Sequence, residues 1–259
     1  MIRLPYQDGY LLIPQPAHAW LSGQLAQHWG NGKRVDRPAP YQAVVLATTL
    51  HDAGWLDKDG IPSLNAQQEP LDFLEPVLDD VQGVYERGVT NVQQIDPYAS
   101  LLVNRHIKTI YHSRAVHGRD PLERLQPLLD DLDAHYQRTL AQIKAHPLYQ
   151  AHLDPDTLDH NYRIVRTCDL LSLFVCGAFP TREVSDVPLR YGAPFERLTC
   201  TLIDADTLQV SPNIFNQAQI TVHLQARVIP QRQYSTPDAY REAFENAEFV
   251  TLTKTVCGV

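Results

Sequence analysis

Four side chains, far apart along the chain, have the types that hold a divalent transition ion: His18, the adjacent pair His51-Asp52, and Asp169. Imidazole nitrogens and carboxylate oxygens together suit Mn, Fe, Co, Ni or Zn better than Ca. His51 and Asp52 close the segment VVLATTLHDAGW. Adjacent residues on a helix project about 100° apart, so an ion seated over the helix end receives a ligand atom from each. His18 lies earlier, in QPAHAWLSGQLAQHWG, and Asp169 later, in RIVRTCDLLSLFVC. Asp169 is flanked by Val165, Leu170, Leu171, Leu173 and Phe174. An unpaired carboxylate buried in such surroundings is costly, and a bound metal would offset that cost. Arg163 or Arg166 on the same helix offers the simpler alternative of an ion pair.

A second group lies in SLLVNRHIKTIY, where His106 has Arg105 and Lys108 beside it. The two cations are candidates to offset charge on a bound phosphate. Trp55, three residues past the His-Asp pair, is a candidate pocket wall.

A histidine, then His-Asp, then a distant aspartate, each on its own helix, resembles the HD superfamily of metal-dependent phosphohydrolases. More narrowly, HAWLSGQLAQHWG, LHDAGW, SLLVNRHIKTIY and CDLLSL in that order are similar to the DUF3891 family, over essentially the whole chain. The resemblance implies an all-helical metal-binding core with His18, His51, Asp52 and Asp169 as ligands. Two-metal members of the superfamily add two histidines between His-Asp and the last aspartate, and here these would be His106 with His112 or His117. Six residues separate His106 from His112, about 240° around a helix, so both face one ion only if the helix ends between them. One or two ions therefore remain open.

The implied activity is hydrolysis of a small phosphate ester or nucleotide by metal-activated water, with Asp52 or His106 accepting the proton. A di-iron oxygenase of the same superfamily and a non-catalytic, metal-stabilised sensing domain are the alternatives.

These residues need helices to carry them. Ala17, Trp20, Leu21, Leu25 and Trp29 recur at spacings of three and four, before Gly30-Asn31-Gly32. Further helices are expected over 41–53, 71–87, 97–112, 121–145 and 155–178. Asp96-Pro97, Asp120-Pro121 and Asp154-Pro155 place a cap acceptor before a proline that tolerates the first helical position. Ile2–Tyr6 and Tyr10–Ile13 flank the turn dipeptide Asp8-Gly9 and read as a hairpin. After Pro180, segments 197–203, 207–210, 218–228 and 247–256 are rich in Thr, Val, Leu and Ile and read as strands, interrupted by a short helix over 237–246. The expected fold is mainly α: an HD-like bundle over 17–180, with a small antiparallel β subdomain from 1–16 and 181–259. That subdomain could cover the bundle, shape the pocket or form a homodimer surface.

Composition bounds the partners. Of 259 residues, 22 are Lys or Arg and 30 are Asp or Glu, a net charge of −8. That balance argues against an extended nucleic-acid surface. The longest nearly apolar run, Leu170–Phe179, is far short of the ~20 residues a bilayer needs. The start lacks the long apolar stretch of a secretory signal. The four cysteines form no CxxC pair, and a cytoplasmic location is expected.

Overall fold

The computed structural model describes residues 1–180 and 183–259. Seven helices precede most of the strands: α1 (Gln15–Gln27), α2 (Tyr41–Leu50), α3 (Leu56–Gly60), α4 (Leu78–Ile95), α5 (Pro97–Val116), α6 (Leu122–Ile143) and α7 (Pro155–Val175). The strands are β1 (Ile2–Tyr6), β2 (Gly9–Ile13), β3 (Glu183–Val187), β4 (Glu196–Leu202), β5 (Thr207–Ser211), β6 (Gln219–Ile229) and β7 (Glu248–Gly258), with α8 (Pro237–Glu245) between the last two.

The expected mainly-α bundle with a small antiparallel appendage is not what forms. The chain is 48 % helical and 21 % strand, and all seven strands join one curled, mixed sheet in the order β1-β2-β6-β7-β5-β4-β3. The N-terminal hairpin adds to β6 through Tyr10↔Ile229 and Leu12↔Arg227. Strands β6 and β7 run antiparallel from Gln219↔Cys257 to Val228↔Glu248. β7 then pairs in parallel with β5, Thr207↔Thr255 to Val210↔Gly258, which makes the sheet mixed. Strand β3 carries only a short buried set, Val184 and Val187, too little alternation to announce itself. Thr181 and Arg182, the first residues of the segment expected to be β, lie outside the described residues.

Alternation explains why the sheet is not peripheral. In β6, Ile220, Val222, Leu224 and Ala226 are buried and the intervening residues exposed. That buried face shares one continuous core with Leu21 and Leu25 of α1 and Ile164 and Leu171 of α7. Helices α1 and α7, which carry His18 and Asp169, are thus clamped between sheet and bundle.

The capping expectations divide. Asp96 and Asp154 accept from the amides of Ala99 and Thr157 as predicted. Asp120 caps nothing; its carboxylate is buried against Arg114 Nε at 2.6 Å. Helix α4 starts at Leu78 rather than 71, past Pro76, whose ring blocks a regular helical bond there.

Two glycines fix how closely the site helices approach. A Cβ on Gly23 of α1 would lie 2.1 Å from Thr49 Oγ1 of α2. One on Gly54, in the 3-10 turn Ala53–Trp55, would lie 1.9 Å from the Val84 carbonyl oxygen of α4. The glycine in HDAGW therefore seats the end of α2 against α4, and Gly23 brings α1 against α2.

Candidate metal centre

His18 lies on the buried side of α1 with Leu21, Ser22 and Leu25, an i, i+3, i+4, i+7 stripe. His51 follows the last residue of α2 and is its C-cap, and Asp52 begins the next turn. His106 is in the middle of α5 and Asp169 in the last third of α7. Four helices therefore bring five side chains to the same place, two of them from the end of α2.

His18 Nε2, His51 Nε2 and an Asp169 oxygen belong to a set of ligand atoms all within 4.8 Å of one another. His51 Nε2 is 3.3 Å from Asp169 Oδ1 and His18 Nε2 is 3.9 Å from the same oxygen. Asp52 approaches from the side, its Oδ2 2.9 Å from His18 Nε2 and 3.8 Å from His51 Nε2. His106 Nε2 is 3.7 Å from Asp169 Oδ2. The rings of His18, His51 and His106 meet edge to face at centroid distances of 5.1 and 5.0 Å.

The surrounding hydrogen bonds choose the tautomers. His51 Nδ1 is 2.8 Å from the Thr48 carbonyl oxygen, which can only accept, so Nδ1 carries the hydrogen. Ser172 Oγ donates to the Asp169 carbonyl oxygen at 2.7 Å. Its oxygen is then left to accept from His18 Nδ1, also at 2.7 Å. In both neutral imidazoles the Nε2 lone pair therefore points at the carboxylates. Acceptors facing acceptors repel unless a cation lies among them, whether a proton or a metal ion. The donor set fits a metal, and His51 Nε2 has no hydrogen-bond partner although it is buried. Gln15 steadies the arrangement, with Nε2 donating to Asp52 Oδ2 at 3.3 Å.

Ionisation follows from the same geometry. Burial disfavours the charged form of His51, but Asp52 and Asp169 outweigh it and push this imidazole up to about 9. Burial likewise opposes ionisation of both carboxylates, and the imidazoles outweigh it: Asp52 and Asp169 are held below the usual carboxylate range. His106, one ring further out, is governed by burial and falls to about 4. Neither arginine of the alternative reading reaches Asp169. Arg163 pairs with Asp159 at 2.7 Å, and Arg166 donates to the Ser185 carbonyl oxygen.

A cavity of about 560 Å³ opens beside the cluster, reached by His18, Asp52, His106 and Asp169 and walled in part by Trp55, Phe73, Tyr85 and Phe179. Trp55 thus lines the pocket. The other three sequence candidates do not. Helix α5 runs unbroken from Pro97 to Val116, so it does not end between His106 and His112. Arg105, Lys108 and His112 line a different groove, of about 310 Å³, with Asp133 and Tyr136. Arg105 pairs with Asp159 and Lys108 with Asp133, each at 2.5 Å.

Arg114, Arg119, Phe73 and Phe179 also line the cavity and are not among the sequence candidates, whereas His117, a candidate for a second ion, does line it. The signal was present. His106, Ile110, Ser113, Arg114 and His117 follow one another at steps of three, four and one, a single face of α5.

A run of helices packed on a sheet that is antiparallel but for one pairing, with three imidazoles and two carboxylates gathered beside a cavity, defines an α+β protein with a candidate metal centre. The chain belongs to the DUF3891 family, described as a protein of unknown function, whose profile matches residues 1–231. No curated protein and no solved structure matches the chain. Among the described residues, no helix is long and apolar enough to cross a membrane.

Proposed function

We propose that the protein is a metal-dependent hydrolase of HD type, acting on a phosphate ester of a small molecule or nucleotide. One observation carries the reading: two imidazole lone pairs and the Asp169 carboxylate converge within 4.8 Å beside a cavity large enough for a small substrate. A divalent Mn, Fe, Co, Ni or Zn ion held by His18, His51 and Asp169 would supply a Lewis acid and a water acidified toward neutrality. Thr48 and Ser172 hold the two ligand rings in orientation through Nδ1. Asp52, held by Gln15, and His106, kept neutral by burial, are the groups beside the cluster able to accept a proton.

The test is elemental analysis of the purified chain, followed by metal reloading and assay against phosphomonoesters, phosphodiesters and nucleotides. The reading expects at least one bound transition ion and turnover that is lost in H51A and D169A. Metal-loaded protein that leaves the whole panel untouched would overturn it. A third imidazole, His106, close to Asp169 favours a second reading, a two-iron oxygenase. Two irons per chain and substrate-dependent oxygen uptake would replace the hydrolase with it.

A further inference from the structure

We propose that the cavity takes an amphipathic anion, with an apolar ring-bearing body against Phe73 and Phe179 and a single anionic group on Arg119 at the rim. For the hydrolase above this names the part of the substrate that lies outward of the phosphoryl group, and it rests on that reading for the reaction, though not for the binding.

The wall supplies the first half of the argument. Phe73 and Phe179 meet edge to face at 6.0 Å and are only half-buried, as is Ile110, so apolar surface is presented to the cavity. An apolar body would remove that surface from water.

Charge accounting supplies the second half. Two arginines line the cavity, and they are not equivalent. Arg114 is buried and spent on Asp120 at 2.6 Å. Arg119 meets no carboxylate among the described residues. Its NH2 group donates to the carbonyl oxygens of Leu74 and Pro76, which brace the side chain but leave its charge uncompensated. At the other end, Asp52 and Asp169 face the cluster imidazoles, which match them through a proton or an ion. Arg119 is then the unmatched charge of the cavity, an exposed guanidinium that presents its remaining donors to an incoming anion. A single anionic group suits it.

The test is isothermal titration of the full chain, zinc-loaded and after chelation, with 2-naphthalenesulfonate, methanesulfonate and 2-naphthalenemethanol as probes. The proposal expects one naphthalenesulfonate per chain, with affinity reduced about tenfold or more in R119Q and partly recovered in R119K. It also expects weaker binding in F179A and no measurable binding of methanesulfonate. Arg119 is exposed, so R119Q folds as the parent does, checked by its melting curve. Unchanged affinity in R119Q, or methanesulfonate binding as well as the naphthyl compound, would overturn the proposal. Naphthalenesulfonate bound by a chain that takes up no metal sinks the hydrolase and leaves the cavity assignment standing. Zinc bound with no naphthalenesulfonate uptake sinks the cavity assignment alone.

Discussion

The two faces of α5 carry similar residue types and do different things. On one face His106, Ile110, Ser113, Arg114 and His117 look into the cavity; on the other Arg105, Lys108 and His112 line a separate groove. The outer cations are each matched by a carboxylate of a neighbouring helix, Asp159 of α7 or Asp133 of α6. The inner face leaves His106 beside Asp169 and Arg119, just past the helix, with no acidic partner among the described residues. Adjacent letters such as Arg105 and His106 lie about 100° apart on the cylinder. Proximity in sequence therefore says little about a shared site, whereas spacing by three and four says much. A cation already matched by its own carboxylate also has little attraction left for a substrate anion.

The contrast is broken most directly at the cluster. H51A and D169A each remove a ligand atom, and metal content after gel filtration should fall from about one ion per chain to near none, with activity falling by 10³-fold or more. Retention of metal in both would mean that the inner face of α5 borders no metal site. The next effect is smaller. S172A removes the acceptor that fixes the His18 tautomer, and metal affinity should weaken about 10–100-fold, read by competition with a chelating dye. G54A should cost about 1–3 kcal/mol in denaturant unfolding, because its methyl group meets the Val84 carbonyl.

An acid-sensitive histidine away from the cluster sharpens the comparison further. His160 on α7 stacks on Tyr191 at 3.8 Å, and burial lowers it from 6.5 to about 4. The unfolded chain therefore binds a proton that the folded chain refuses between those values. The stabilisation is complete above pH 6.5 and is lost as pH falls toward 4, amounting to at most about 2 kcal/mol at pH 5. In H160L, the difference in stability between pH 7 and pH 5 should shrink by that amount relative to the parent. Equal slopes would show that the folded ring takes up its proton as readily as the unfolded one.

Most of the site was legible in the sequence because its signals are local. His-Asp at a helix end, a histidine on an apolar stripe and an aspartate among leucines and valines each stand out within a dozen residues. The helices were legible for the same reason, with prolines and caps marking their starts. The sheet was not, because its order depends on pairings between distant segments. Nothing near Tyr10 reveals that its neighbour is Ile229, or that β7 will lie parallel to β5. Arg119 lay hidden in a similar way. It follows the end of α5, where periodicity stops, and faces the cavity only because the loop carrying Leu74 and Pro76 folds across to meet it.

The smallest expected effect belongs to the outer face, where the prediction is close to nothing. K108Q breaks an exposed pair with Asp133, and such pairs contribute about 0–1 kcal/mol. H112A removes an exposed ring that does not reach the cluster. Both variants should keep full metal content, turnover within about twofold of the parent, and melting curves shifted by no more than a degree or two. H106A, one face away on the same helix, should lower turnover at least tenfold at similar stability. If K108Q or H112A instead lost activity as H106A does, the substrate would have to reach around α5 into the second groove, and the assignment of chemistry to one face of this helix would fail.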